Sequence, residues 1–160
     1  MRVSLSGHRM ERLEACGYSE ENIQDLIKVI EDKLVRIGCT DAYCGMAEGS
    51  DILFARAVLN LKDKGLDIRL HCILPCKDYN KSNPYYFKIK EASDSWVYLS
   101  EQFYKGCDEV RDKQLVNNCE TLLVIFDGVK VGGVWSTIKK AKRQNKEIIN
   151  LLEERKNGRN

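Results

Sequence analysis

A chain of 160 residues with 43% hydrophobic side chains is long enough for one domain with a substantial core. Its 26 Lys and Arg against 24 Asp and Glu leave a formal net charge of +2, so no overall basic field exists and nucleic acid is disfavoured as a partner. No window of about 20 apolar residues offers a membrane span, and "MRVSLSGHR" lacks the apolar run of a signal peptide, so a cytoplasmic protein is expected. Seven cysteines, without a CxxC pair, read as buried small hydrophobes, and no metal is expected.

In chain order, "RVSLS" alternates as a first strand does and runs into Gly7, His8 and Arg9. Ser19 is placed to cap a helix whose apolar positions Ile23, Leu26, Ile27, Ile30, Leu34 and Ile37 fall at helical spacing, with Gly38 as its stop. "TDAYCG" predicts a second strand, and "SDILFARAVLNLKDKG" a helix that starts at Ser50 and stops at Gly65. "DIRLHCILP" is a third strand closed by Pro75. Periodicity is then lost until a short helix after Pro84. "SWVYLS" gives a fourth strand, "CDEVRDKQLVNNC" a helix capped near Asp108, and "TLLVIFD" a buried strand. "STIKKAKRQNK" gives a helix and "EIINL" the last strand. One domain is expected over residues 1–152, followed by a fraying charged tail at 153–160.

Strands alternating with helices predict an α/β fold: a Rossmann-like three-layer sandwich with a mostly parallel sheet and helices on both faces. Ligands of such sheets bind beyond the carboxyl ends of the strands, where the strand order reverses. The small and polar residues at the strand ends therefore define the candidate site. In "GMAEGSD", Gly45, Met46, Glu48 and Gly49 form a turn at a helix start, where the amides of Gly49, Ser50 and Asp51 are expected to face a phosphate. Asp51 suits either a dipole-complementing carboxylate or a contact to a ribose hydroxyl. Glu48 is either a solvated carboxylate or a general acid or base. These two are the weak catalytic candidates, and no catalytic residue is assigned. His8 and Arg9 offer phosphate contacts at the first strand's tip, with Arg111 as a further cation. Asp127 and Gly128 close the buried strand, and Gly132-Gly133 open a second anion-friendly helix start. Trp135 is placed to stack on a base or to cover the core.

"SGHR", "GMAEGSD" and "RDKQLVNNCETLLVIFDG…GG…TIKKA" together, in this order and at strand ends, resemble the YpsA-like branch of the SLOG superfamily. That superfamily also contains the Lonely guy (LOG) phosphoribohydrolases and the DNA-processing DprA proteins. The resemblance implies a pocket for a nucleotide-derived ligand such as NAD or ADP-ribose. By position it carries over Gly7, His8 and Arg9 to the first loop, and Gly45, Gly49 and Asp51 to the second. Arg111, Asp127, Gly128, Gly132 and Gly133 fall on the terminal motif. The hydrolases' PGGxGTxxE is replaced by "VGGVWSTIKKA", with no acid on the following turn and Thr137 displaced along the helix.

The expected function is accordingly a sensor or sequestering protein for a nucleotide derivative, including a cyclic signalling nucleotide, that needs no cofactor. The alternative is an N-glycosidic hydrolase. The expected partner is a small nucleotide derivative, not nucleic acid, and the resemblance implies a homo-oligomer.

Overall fold

The computed structural model describes residues 1–152; the expected fraying of 153–160 lies outside the described residues. The elements are β1 (Arg2–Gly7), α1 (Met10–Ala15), α2 (Ile23–Arg36), β2 (Asp41–Cys44), α3 (Ser50–Asp63), β3 (Arg69–Leu74), α4 (Tyr86–Ala92), β4 (Ser95–Tyr98), α5 (Cys107–Asn118), β5 (Thr121–Ile125), α6 (Gly132–Arg143) and β6 (Glu147–Asn150). The six strands lie in the order β4-β3-β2-β1-β5-β6, and every pair is parallel. The sheet is thus wholly parallel where a mostly parallel one was expected.

The alternation of side chains distributes the core over both faces. Leu123 and Ile125 of β5 join Val3 and Leu5 of β1 in one cluster with Leu26, Ile30, Phe54 and Val58 from α2 and α3. Leu122 and Val124 point the other way, to Val116 of α5 and Ile138 and Ala141 of α6. A strand buried on both faces needs apolar residues at every position, which is why "TLLVI" reads as a continuous run.

Helix α1 had not been expected, and two helix starts lie several residues from expectation. The helix expected from Ser19 begins at Ile23, because Asn22 accepts the Ser19 amide at 2.7 Å and ties the preceding segment into a turn. The final helix begins at Gly132, ahead of the expected "STIKKAKRQNK".

The chain runs from β1 outward to β4, then crosses back through α5 to β5 on the other side of β1. The strand order therefore reverses between β1 and β5. That reversal opens a crevice at their carboxyl ends.

Candidate functional site

At the tip of β1, Gly7 is required by close packing. A Cβ there would lie 2.5 Å from the Ser50 Cβ and 3.0 Å from the Ile125 Cβ. His8 follows, only 4% exposed. Its Nε2 accepts the Asp127 amide at 2.9 Å, which places the ring proton on Nδ1. Burial pushes the His8 pKa down, and the nearby Asp127 carboxylate only partly opposes this. His8 is thus a neutral link between the ends of β1 and β5.

Asp127 is likewise held in place. Its Oδ2 accepts Arg12 Nε at 3.1 Å and Nη2 at 2.5 Å, and its Oδ1 accepts the Val129 amide at 2.9 Å. Burial works against its charge, but the Val129 amide and Arg12 outweigh it and hold the carboxyl below its ordinary range. Gly128, with φ of 90°, completes this turn.

The start of α3 is occupied by protein. Ser50 donates to the His8 carbonyl from its amide at 3.1 Å and from its hydroxyl at 2.6 Å. Gly49 has φ of 88°, and a Cβ on it would meet the Arg9 Cα at 2.7 Å and the His8 carbonyl oxygen at 2.8 Å. The β1–α1 connection is therefore seated on the α3 N-terminus, and a backbone carbonyl stands where a phosphate was expected. Glu48 supports the same connection: its two carboxylate oxygens each lie 3.3 Å from the Met10 amide at the start of α1. Met46 is fully buried, and its carbonyl accepts Asn80 Nδ2 at 3.0 Å.

Beneath these loops lies a polar floor. Asp51 is 6% exposed, and its Oδ2 accepts the Ala47 amide at 3.0 Å. Burial pushes its pKa up to about 6, against the pull of the Arg111 charge. Arg111 is itself buried; its guanidinium donates to the Gly45 carbonyl and from Nε to Asp112 at 2.7 Å. Gly45 leaves room for this contact, since a Cβ would lie 2.9 Å from the Arg111 Cδ. The Arg111 guanidinium also sits 5.5 Å from the centroid of Tyr79, whose hydroxyl accepts Arg9 Nη2 at 3.2 Å. Asp108 Oδ1 is 3.8 Å from Arg111 Nη2; it is buried and has no hydrogen-bond partner among the described residues.

His8, Arg9, Asp51, Asp108 and Arg111 line a cleft of about 430 Å³ at the carboxyl edge of the sheet. Its far wall is the start of α6, contributed by Val131, Gly133 and Val134. Here the helix end is open. No side chain caps it, and no carboxylate occupies its first turn, whereas α2, α3 and α5 carry Asp25, Asp51 and Asp108 there. No atom lies within 4 Å of the Cβ position at Gly133. The amides of the first helical turn have no carbonyl one turn behind them and carry the positive end of the helix dipole.

Of the expected residues, Gly7, His8, Arg9, Asp51, Arg111 and Gly133 meet in this cleft. Gly45, Met46, Glu48, Gly49 and Ser50 build its supporting loops. Trp135 lies outside it and stacks on Phe126 at 6.1 Å between centroids, and Thr137 is buried with its hydroxyl donating to the Gly133 carbonyl at 3.0 Å. Arg12 and Asp108 line the cleft without having been foreseen. No local signal marks Arg12, because α1 buries a single side chain, Leu13, and gives no periodic pattern. Among the described residues, no group of three or more His, Cys, Asp or Glu is arranged to hold a metal ion, and no helix is long and apolar enough to cross a membrane.

Neither a family model nor a curated protein matches the chain. Among solved structures the chain is similar to DNA processing protein A from Helicobacter pylori, described by its unique single-stranded DNA binding mode. The TM-score is 0.64 at 18% identity, over 96% of this chain and 70% of that one. The likeness establishes the Rossmann-like α/β fold. It also corrects the expected partners, a small nucleotide derivative with nucleic acid set aside. A protein of this fold is described as binding single-stranded DNA, so a net charge near zero gives no ground for excluding nucleic acid. Net charge averages over the molecule, whereas binding responds to the local field.

Proposed function

We propose that the cleft binds the phosphate of a nucleotide unit, with the amides at the start of α6 as donors and Arg9 as the mobile counter-cation. The observation that carries this reading is the open, uncapped N-terminus of α6 forming one wall of a cleft whose opposite wall bears arginines. Arg9 is exposed and tethered only by the Tyr79 hydroxyl among its described hydrogen bonds, so its fork is free to turn toward an anion. Arg12 and Arg111 add positive potential while remaining bound to Asp127 and Asp112. The unpartnered Asp108 oxygen gives a ribose hydroxyl or a base amine an acceptor. This agrees with the resemblance to the YpsA-like branch and with a receptor role. The phosphate belongs either to a free nucleotide such as NAD or ADP-ribose, or to a nucleotide within a single strand.

A second reading, N-glycosidic hydrolysis, draws support from Asp51 alone. Its pKa near 6 would let a buried carboxyl act as a general acid. Glu48 already accepts the Met10 amide, which favours a supporting part for it.

Calorimetric titration with AMP, NAD, ADP-ribose and a short oligonucleotide, with chromatography of the recovered ligands, separates these cases. The receptor reading expects an unchanged ligand and binding weakened at least about tenfold in Arg9→Ala, the loss of a charge-assisted hydrogen bond. Equal binding by Arg9→Ala contradicts it. A released base that disappears in Asp51→Asn establishes the hydrolase.

A further inference from the structure

Between Asp127 and Glu147 the chain contains Lys130, Lys139, Lys140, Lys142, Arg143 and Lys146 and no carboxylate. This is a locally basic segment in a chain of net charge +2. The structure gathers three of these cations on one aromatic ring: the ammonium groups of Lys130, Lys139 and Lys142 lie 5.4, 6.0 and 5.3 Å from the centroid of Trp135. Among the described residues none of the three has a carboxylate partner, although surface lysines elsewhere, such as Lys28, Lys62 and Lys64, do. Trp135 is half-buried and stacked on Phe126, with the ammonium groups over its ring.

We infer that this α6 surface docks a single-stranded nucleic acid, with lysines on successive phosphates and the indole against a base. The position favours this partner over an acidic protein segment. Trp135 follows Gly132 and Gly133 within one turn of α6, about 5.4 Å along the axis, so the platform begins where the cleft ends. A strand anchored by one phosphate at the helix N-terminus continues directly onto it. A strand also supplies an anion and a planar ring at each step, which matches cations arranged around an aromatic group. An acidic peptide offers the charges without the rings. The inference rests on the cleft reading for the anchored nucleotide, and the platform is testable apart from it.

The experiment is fluorescence anisotropy of a labelled oligothymidylate of about 15 residues over a salt series, alongside AMP calorimetry. It compares the intact chain, Lys139→Ala/Lys142→Ala and Arg9→Ala. Removing two phosphate contacts is expected to make the salt slope of strand binding shallower by about 1.4, while AMP binding stays unchanged. In a Trp96→Phe background, which leaves Trp135 as the sole tryptophan, strand binding is expected to quench the remaining emission. An unchanged strand affinity and slope in the double lysine variant overturns the proposal, as does failure of the intact chain to bind the strand. Lysine-dependent strand binding without AMP binding would retire the cleft reading and keep the platform.

Discussion

Gly49 shows how little freedom the site residues have. Its φ of 88° lies in the left-handed region, and the missing Cβ makes room for the Arg9 backbone and the His8 carbonyl. Gly49→Ala would place a methyl group against backbone on a strained residue. A loss of about 2 kcal/mol or more in a urea titration is expected, and an unchanged midpoint would show that the β1–α1 connection can yield. Asp51 gives a pH-dependent counterpart. Its pKa is raised from 3.8 to about 6, so the folded state binds a proton more tightly than the unfolded one. The associated stability is complete below pH 3.8 and is lost as pH rises through about 6. Asp51→Asn keeps an acceptor for the Ala47 amide and lacks this loss. The variant should therefore gain on the intact chain as pH rises from 4 to 7, by on the order of 2–3 kcal/mol. Parallel stability curves would contradict the assignment.

Among the elements, the strands and the starts of α3 and α5 were legible, whereas the starts of α2 and α6 were displaced and α1 was missed. Strands announce themselves through residues buried by both neighbours, as in β5, whereas α1 has six residues with a single buried side chain, Leu13, too little for a periodic signal. Both glycine turns were correctly located from the sequence, but the turns alone could not distinguish an open helix end from a filled one. That difference depends on a tertiary contact: the His8 carbonyl reaches Ser50 across 42 positions of chain, while α6 meets nothing comparable. The structural contact of Glu48 was not legible from its loop position either, because its partner, the Met10 amide, belongs to the unforeseen α1. Glu48→Ala removes the only acceptor described for that amide and is expected to cost about 1 kcal/mol, a fall in Tm of about 2–4 °C at this chain length. AMP binding should persist in the variant. Loss of binding without loss of stability would place Glu48 in the site itself.

For the whole molecule, topology decides where the cleft opens. Strand alternation in the sequence implied the sheet and its carboxyl edge. The reversal between β1 and β5, which selects one crevice along that edge, follows from the path of α5 across the sheet and has no local sequence signature. Summed charge was misleading for a related physical reason. Carboxylates elsewhere cancel the lysines of α6 in the total, yet among the described residues none pairs with Lys130, Lys139 or Lys142 around Trp135. Phosphate binding at the start of α6 would fall on a handful of backbone amides, which report it directly. In ¹H–¹⁵N correlation spectra of the labelled protein, titrated with AMP at constant pH, the amides of Gly132, Gly133 and Val134 should show the largest downfield proton shifts, with those of Gly49 and Ser50 nearly still. Dominant shifts at Gly49 and Ser50, or none at the start of α6, would contradict the account.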